Sequence, residues 1–153
     1  MDKRTMFAAL DRILDNSKAA VLASVDKEGR PHVRWMTPAA IRGRDGFLYS
    51  VTAPGFEKTG HLETEPHVEW LLQSKSLDEI LTVRGTMQVL DNPRTKAEVL
   101  EAIGRNLEVF WRVNRDQAEL VVLETIIEEI LYFKPLTGEH AKVSLAQDAR
   151  GVV

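Results

Sequence analysis

Two cations and a hydroxyl are the residues of this sequence whose types and spacing could do chemistry together. Arg34 lies in the segment RPHVRWMTP, Thr52 ends the segment GFLYSVT, and Lys58 follows a Pro-Gly turn. A guanidinium, a hydroxyl and an ammonium brought together at strand ends and at the start of a short helix hold an anionic group, because all three donate hydrogen bonds and two carry positive charge. The residues are thus suited to an anion-binding site, although from these residues alone solvated charges on a strand edge and a helix are the commoner use of Arg34 and Lys58.

The elements that must position these side chains are short strands joined by tight turns. Side chains alternate along a strand, so Arg34 shares a face with His32 and Met36, while Trp35 lies on the opposite face. Gly85 in the middle of a strand pattern indicates a bulge or a tight bend. The predicted strands are Ala19–Val25, a partner strand from about Pro31 to Thr37, Phe47–Thr52, His67–Gln73, Glu79–Val89, Leu120–Thr125 and Glu129–Lys134.

Helices are predicted at three places. Apolar residues at spacings of three and four mark an amphipathic helix from about Met6 to Ser17, and a short helix is expected over 56–64. Asn92 or Asp91 followed by Pro93 is typical of a helix start, and this helix is expected to run to about Phe110. Hairpin-linked strands with few helices predict a mainly β (α+β) fold, a small antiparallel barrel of about six strands with flanking helices.

Bulk properties limit the function classes. The 153 residues predict one domain, 1–135, followed by a polar tail, 136–153, that is mobile or docked on a partner subunit. The net charge of -3 argues against a nucleic-acid partner. The chain has no cysteine, no continuous signal-peptide core and no apolar run near the about 20 residues of a membrane span, so the expected location is cytoplasmic.

The order of several short motifs carries a resemblance. GRPHVRWMTP, GFLYSVT, KTGHLETEPHV and TVRGTMQVLDNP follow one another as they do in the FMN-binding split-barrel family, the pyridoxamine 5'-phosphate oxidase-like proteins. Within that family the chain is similar to the smaller general-stress-protein type. The resemblance implies a split β-barrel, a homodimer and two flavin sites at the subunit interface.

The resemblance also implies roles for individual residues. The strand at Arg34 would run along the flavin, with the guanidinium near the phosphate and backbone groups near the ring, and Lys58 would neutralise the phosphate. The implied cofactor-binding residues are Arg34, Trp35, Met36, Thr37, Val51, Thr52 and Lys58. Trp111 is added as the tryptophan best placed to cover a ring or reach the other subunit, although burial in a core is the commoner use of an aromatic side chain.

The sequence departs from the family at two places. Phe56-Glu57 stands where the family often has a serine and an arginine before the lysine, which removes a hydroxyl donor and adds a competing carboxylate. The tail lacks the basic signature of the true pyridoxamine phosphate oxidases, so that activity is not expected. No metal site is predicted, because the histidines and glutamates of HLETEPHVE match no zinc spacing.

Three functions stay open at this level. The first is an FMN-dependent oxidoreductase that exchanges electrons or hydride with a small-molecule donor or acceptor; no catalytic acid or base is assigned. The second is a non-catalytic stress-response module that holds a flavin, a deazaflavin or haem. The third is a scaffold without a ligand, in which Arg34 pairs with a carboxylate such as Glu57.

Overall fold

The computed structural model describes residues 1–53, 62, 64–104 and 120–145. Within these ranges the chain forms two helices and seven strands. No helix in the described part of the chain has the length and apolar character that a membrane crossing requires. The elements are α1 (Lys3–Asn16), β1 (Ala20–Val25), β2 (Pro31–Met36), β3 (Phe47–Thr52), β4 (His67–Gln73), β5 (Ile80–Val89), α2 (Pro93–Ile103), β6 (Val121–Phe133) and β7 (His140–Ser144).

The strands form one antiparallel sheet in the order β2-β1-β4-β5-β6-β3, with β7 added beside β6. The two ends of this order, β2 and β3, are connected by an isolated bridge between Ala39, just after β2, and Tyr49 of β3. Two backbone hydrogen bonds of 2.8 Å make that bridge. The predicted mainly β, antiparallel barrel architecture with flanking helices is therefore confirmed.

Two features of the C-terminal third differ from the sequence-based expectation. The two strands predicted after Leu120 are one continuous strand, β6, because the apolar pair Ile126-Ile127 carries the ladder with β5 through the predicted gap. A seventh strand, β7, lies in the segment assigned to the tail, where buried Val143 faces the core. The tail is thus paired with β6 as far as residue 144, and residues 146–153 lie outside the described residues.

The main core fills the space between α1 and the inner face of the sheet. Asp2 caps α1 by accepting a hydrogen bond from the Thr5 backbone N–H at 2.8 Å. Met6, Leu10 and Ile13, three and four residues apart as predicted, are buried against the sheet. Trp70 lies fully buried in this core, where its indole N–H donates to the Thr125 hydroxyl at 3.1 Å, so its polar atom is satisfied.

A charged contact ties α1 to the sheet. Arg12 donates two hydrogen bonds to the Glu79 carboxylate, at 2.9 and 2.6 Å, and the Tyr132 hydroxyl donates to the same carboxylate at 2.6 Å. The Arg12 hydrogen bonds lower the pKa of Glu79. Burial, followed by the hydrogen bond to Glu79, raises the pKa of Tyr132 to about 12.

Glu79→Gln is expected to lower the free energy of unfolding by about 1 to 2 kcal/mol, since it removes the charge from a mostly buried carboxylate while Arg12 stays half-exposed. The substitution should also bring the Tyr132 pKa down from about 12. Urea denaturation measures the first effect and ultraviolet titration of the tyrosines the second. Glu101→Gln, on the exposed face of α2, is the matched control. An unchanged tyrosine titration would show that Glu79 does not act on Tyr132.

The β1–β2 turn is closed by Asp26. Its Oδ1 accepts the backbone N–H groups of Glu28 and Arg30, both at 2.9 Å, and its Oδ2 lies 2.8 Å from His32 Nε2. The hydrogen bond with His32, followed by that from the Arg30 backbone, lowers the pKa of Asp26 to about 2. Because the turn leads directly into β2, this carboxylate helps to set the strand that carries Arg34.

Asp26→Asn is expected to lower the melting temperature at neutral pH and to have little effect near pH 2. Asparagine keeps an oxygen for the backbone donors but loses the charge that faces His32. Since the pKa of Asp26 in the folded protein, about 2, lies below its ordinary value of 3.8, ionised Asp26 stabilises the fold above that ordinary value. This contribution is lost as the pH falls through about 2. Melting curves across this pH range check it, with Asp91→Asn as control, and a pH-independent difference would contradict it.

Candidate functional site

Arg34 lies on β2 with its side chain on the inner side of the sheet. The strand alternates between exposed and half-buried residues, and Arg34 pairs across the ladder with Leu22, which is fully buried. Its Nε atom is buried and has no hydrogen-bond partner in the part of the chain that the structure describes. A guanidinium N–H can only donate. A buried donor without an acceptor is costly, so this atom calls for an acceptor that the described protein groups do not supply.

Trp35 lies on the other side of the same strand. Its side chain is 72% exposed, and Val33 on the same side is 66% exposed. Across the ladder Trp35 faces Val21 of β1, and Val21 in turn faces Leu71 of β4, which is 40% exposed. These four residues, called the outer apolar row below, form a surface that the described part of the chain leaves open to water. A side-chain contact from Trp35 to a group held by Arg34 of the same copy is thus disfavoured.

Met36 and Thr37 continue from Arg34 toward the bridge. Met36 is half-buried against the main core, on the same side of β2 as Arg34. Thr37 is half-buried and lines a cavity of about 460 Å³ between α1 and the segment 37–47. Neither Arg34 nor the β3 residues predicted as contacts line this cavity.

The cavity beside Thr37 is not suited to an anion. Asp11, Asp15 and Asp45 line it together with three basic residues. One of those, Arg44, is already bound to Glu98 at 2.6 Å. Burial, followed by repulsion from the other two aspartates, raises the pKa of Asp11, so the three carboxylates add negative charge where an anion would have to lie. We therefore assign the candidate anion site to Arg34 and the sheet edges rather than to this cavity.

Val51 and Thr52, the two residues of β3 predicted as ligand contacts, lie in different environments. Val51 packs on the outer side of β3 against buried Val99 and Ile103 of α2. Thr52 is buried and, by strand alternation, lies on the inner side with Ser50 and Leu48. A contact from Thr52 to a ligand can therefore use its hydroxyl, whereas a contact from Val51 would use its backbone.

Ser50 was not singled out by the sequence analysis as a binding residue. It is 0% exposed, and its Oγ has no hydrogen-bond partner among the described residues. The only sequence signal that points to it is its position two residues before Thr52, which places both hydroxyls on one side of a strand. Burial and the missing partner depend on the tertiary structure and could not be inferred from the sequence.

The geometry thus brings four of the predicted residues to the two sheet edges that meet at the Ala39–Tyr49 bridge. Arg34 and Met36 lie on the inner side of β2, and Thr52 lies on the inner side of β3 with Val51 beside it. Beyond that bridge the two edges are not paired in the described residues. Arg34 on one edge and Thr52 on the other are a cation and a hydroxyl, residue types that bind an anionic oxygen.

Two predicted residues cannot be placed. Lys58, with its neighbours Phe56 and Glu57, and Trp111 lie outside the described residues. Their roles stay predictions. His61 and Glu63 of the segment HLETEPHVE also lie outside the described residues. Within the described residues, no group of three or more metal-ligating side chains occurs.

Comparisons with known proteins agree with this architecture. The sequence model described as pyridoxamine 5'-phosphate oxidase matches residues 6–134. The chain is 32% identical over 83 residues to the pyridoxine/pyridoxamine 5'-phosphate oxidase of Sphingopyxis alaskensis, an alignment covering 54% of this chain and 38% of that relative. The chain therefore spans well under half of the curated relative that it matches.

Solved structures with the same fold include two related to general stress protein 26. One, from Clostridium acetobutylicum, has a TM-score of 0.70 at 16% identity and covers 96% of this chain and 99% of its own. The other, from Bacillus anthracis, has a TM-score of 0.64 at 20% identity and covers 90% and 98%. At these identities the likeness establishes the fold alone.

Two further structures of this fold are described by what they bind. One is a pyridoxamine 5'-phosphate oxidase-related, FMN-binding protein from Nostoc punctiforme, with a TM-score of 0.62 at 12% identity, covering 94% of this chain and 96% of its own. The other is a heme-binding protein from Mycobacterium smegmatis, with a TM-score of 0.66 at 14% identity, covering 86% and 55%. The same fold therefore accompanies two different cofactors.

Proposed function

Because the chain belongs to the pyridoxamine 5'-phosphate oxidase family, we propose that it is a homodimeric protein that binds FMN and exchanges electrons or hydride with a small-molecule donor or acceptor. The single observation that carries the proposal is the Arg34 guanidinium, whose buried Nε has no acceptor among the described residues. A phosphate monoester supplies both an acceptor and a negative charge at that position.

The residues present fit this group. Arg34 and Thr52 would hold the phosphate, and backbone groups of the segment 34–37 would lie along the ring, as the family resemblance implies. Lys58 would add a second cation. When bound, the flavin supplies the redox chemistry, while the protein supplies position, counter-charge and exclusion of water. His32 shares the face of Arg34 on β2 but is held by Asp26, whose Oδ2 lies 2.8 Å from its Nε2, so we assign no proton-transfer residue.

The outer apolar row supports the homodimer. Val33 and Trp35 are exposed side by side on an edge strand, and Leu71 extends the row across β1 onto β4. Large exposed apolar side chains grouped on one surface are typical of interaction sites. A second copy that covers this row would bury Trp35 and bring two sites close to one interface. The cytoplasmic location stays a prediction from the sequence.

The absorption spectrum of freshly purified protein, followed by calorimetry with FMN, tests the binding part of the proposal. Flavin bands, or FMN uptake by protein freed of cofactor, are expected. A Soret band would instead favour haem, the cofactor of the Mycobacterium smegmatis structure. A deazaflavin would be identified by its own spectrum and by mass spectrometry. Protein that takes up none of these would contradict the proposal and favour the scaffold alternative.

Steady-state oxidation of NADPH or NADH separates the oxidoreductase from a non-catalytic binding module. The FMN-loaded protein is expected to oxidise one of these donors faster than the same concentration of free FMN. The assay is repeated with other small-molecule donors and acceptors. If no combination gives a rate above that of free FMN, the binding module is favoured. Sedimentation velocity gives the oligomeric state, and Trp35→Glu should shift the protein toward monomer.

A further inference from the structure

The cavity of about 460 Å³ between α1 and the segment 37–47 is not used by the candidate anion site. Neither Arg34 nor Thr52 lines it, and Thr37 is the one predicted cofactor-binding residue in the described part of the chain that does. Its volume lies within the range of about 300 to 1,000 Å³ that is typical of small-molecule sites. The cavity is therefore large enough for a ligand of its own.

The inner wall of the cavity is apolar. Leu10 of α1 and Ala39 are buried at this wall. Three half-buried residues with large apolar side chains line it as well, namely Phe7, Leu14 and Phe47. Because removing apolar surface from water is favourable, this wall favours the aromatic or aliphatic part of an organic ligand.

The exposed rim of the cavity carries three carboxylates from two elements. Asp11 and Asp15 are four residues apart on α1 and therefore share one helix face, and Asp45 comes from the loop before β3. None of the three forms an ion pair within the described residues. The rim thus offers negative charge from both sides of the cavity.

The bases that line the cavity do not neutralise these carboxylates. Arg44 is bound to Glu98 at 2.6 Å, and neither Lys18 nor Arg42 forms an ion pair with an aspartate of the rim in the described part of the chain. Burial and then repulsion from the other two aspartates raise the pKa of Asp11, and no base lowers it. With Arg44 committed to Glu98, the carboxylates outnumber the remaining bases.

The two aspartates of α1 lie where a helix disfavours them. Like charges four residues apart on a helix repel each other. Asp15 also lies in the last turn, which favours cations, and no basic residue occupies that turn. Local conflicts of this kind are expected at functional sites. A cation bound between α1 and the loop would offset both.

We propose that this cavity is a second binding site, which takes a small organic cation with an apolar body, such as an arylalkyl amine. The apolar body would pack against Phe7, Leu14 and Phe47, and the ammonium group would lie among the carboxylates of the rim. A metal ion is a poorer occupant, because no group of three or more metal-ligating side chains within the described residues is arranged to hold one. The inference goes beyond the proposed function and needs no bound flavin.

Three probes of matched shape test the charge preference, namely 4-phenylbutylamine, 4-phenylbutan-1-ol and 4-phenylbutyrate. Calorimetry on the full-length, flavin-free protein should show the amine binding about fivefold or more tightly than the alcohol, and the acid binding most weakly. High salt should reduce the preference, since the carboxylates are exposed. Equal affinities for amine and alcohol, tighter binding of the acid, or no binding of the amine would each overturn the proposal.

Asparagine substitutions of the rim locate the site. Asp11→Asn, Asp15→Asn and Asp45→Asn should each lower the affinity for the amine about two- to fivefold, and the triple variant about tenfold or more. Asp11→Asn without ligand should melt at the same temperature as the wild type or higher, because it removes a carboxylate whose charge the fold disfavours. Asp91→Asn, exposed before α2, is the matched control. A triple variant that binds the amine as the wild type does would overturn the assignment to this cavity.

A parallel titration with FMN separates this inference from the proposed function. If the wild type binds the amine through the rim carboxylates but takes up no FMN, the proposed function fails and the cation site remains. If the wild type takes up FMN but does not prefer the amine, the cation site is overturned and the proposed function remains. Protein that binds neither FMN nor the amine overturns both.

Discussion

Arg34→Met is expected to weaken FMN binding by about 10- to 150-fold, the range that corresponds to a charge-assisted hydrogen bond worth about 1.5 to 3 kcal/mol. Methionine preserves much of the length of the side chain but has no donor for the phosphate. The free energy of unfolding of the ligand-free protein should not fall, because the substitution also removes a buried N–H that has no acceptor in the described residues. Titration calorimetry with FMN and urea denaturation measure the two effects.

Riboflavin and a second arginine make this test specific. Riboflavin has no phosphate, so its affinity should change little in Arg34→Met. Arg30→Met is the matched control, because Arg30 is exposed at the turn before β2 and lies four residues from Arg34. Equal losses of FMN and riboflavin would place Arg34 away from the phosphate. A large loss in Arg30→Met would show that general positive charge on the hairpin, rather than one buried guanidinium, attracts the ligand.

The elements of the fold that could be predicted are those set by local pattern. The alternation that puts Arg34 and Trp35 on opposite sides of β2, the apolar spacing of α1 and the Asn92-Pro93 start of α2 each depend on a few neighbouring residues, and the structure confirms all three. The glycine signal at Gly85 is confirmed as a bulge, since the β5–β6 register shifts between Arg84 and Gly85. These features need no information about distant parts of the chain.

What could not be predicted depends on distant contacts. The apolar spacing of α2 does not by itself select the helix face that is buried: Val99 and Ile103 are buried in the cluster that includes Tyr49 and Val51 of β3, and Leu100 packs half-buried beside them. β7 has only five residues and a weak apolar alternation, and it is a strand because β6 offers it a free edge.

The candidate site, like the fold, could be predicted from the sequence only in part. The sequence indicates which residue types could hold an anion, but not that Arg34 Nε and Ser50 Oγ are both buried without a partner. That property depends on how distant parts of the chain pack around β2 and β3, which lie at opposite ends of the sheet order. Candidate binding residues that are defined by missing contacts are thus visible only after the fold is known.

Gly85→Ala is expected to cause the largest loss of stability, about 3 kcal/mol or more of unfolding free energy, or no soluble folded protein. A Cβ at this position would lie 2.1 Å from the carbonyl oxygen of Ile126 and 3.0 Å from its carbonyl carbon. Both are backbone atoms of β6, so no side-chain rotation can relieve the clash. The strand pair must separate or lose its bulge. Urea denaturation followed by circular dichroism measures the effect.

Gly104→Ala is the matched control for this substitution. Gly104 ends α2 with helical backbone angles, and a Cβ added there meets nothing within 4 Å. Because alanine restricts the unfolded chain more than glycine does, this variant should be neutral or more stable by up to about 1 kcal/mol. Equal destabilisation by both changes would show that backbone entropy, and not the clash with Ile126, explains the result.

The bulge opposite Gly85 also connects stability to the candidate site, because its extra residue, Glu128, lies on β6. Up to Ile126 the far side of β6 pairs with β3, and from Glu129 onward it pairs with β7. The bulge thus falls where β6 changes partner, directly after the half that pairs with β3, the strand of Ser50 and Thr52. If Gly85→Ala folds at low temperature, its affinity for FMN should therefore fall, although Gly85 is not among the residues that we propose contact the ligand. Unchanged affinity in a destabilised Gly85→Ala would mean that β3 keeps its position without the bulge.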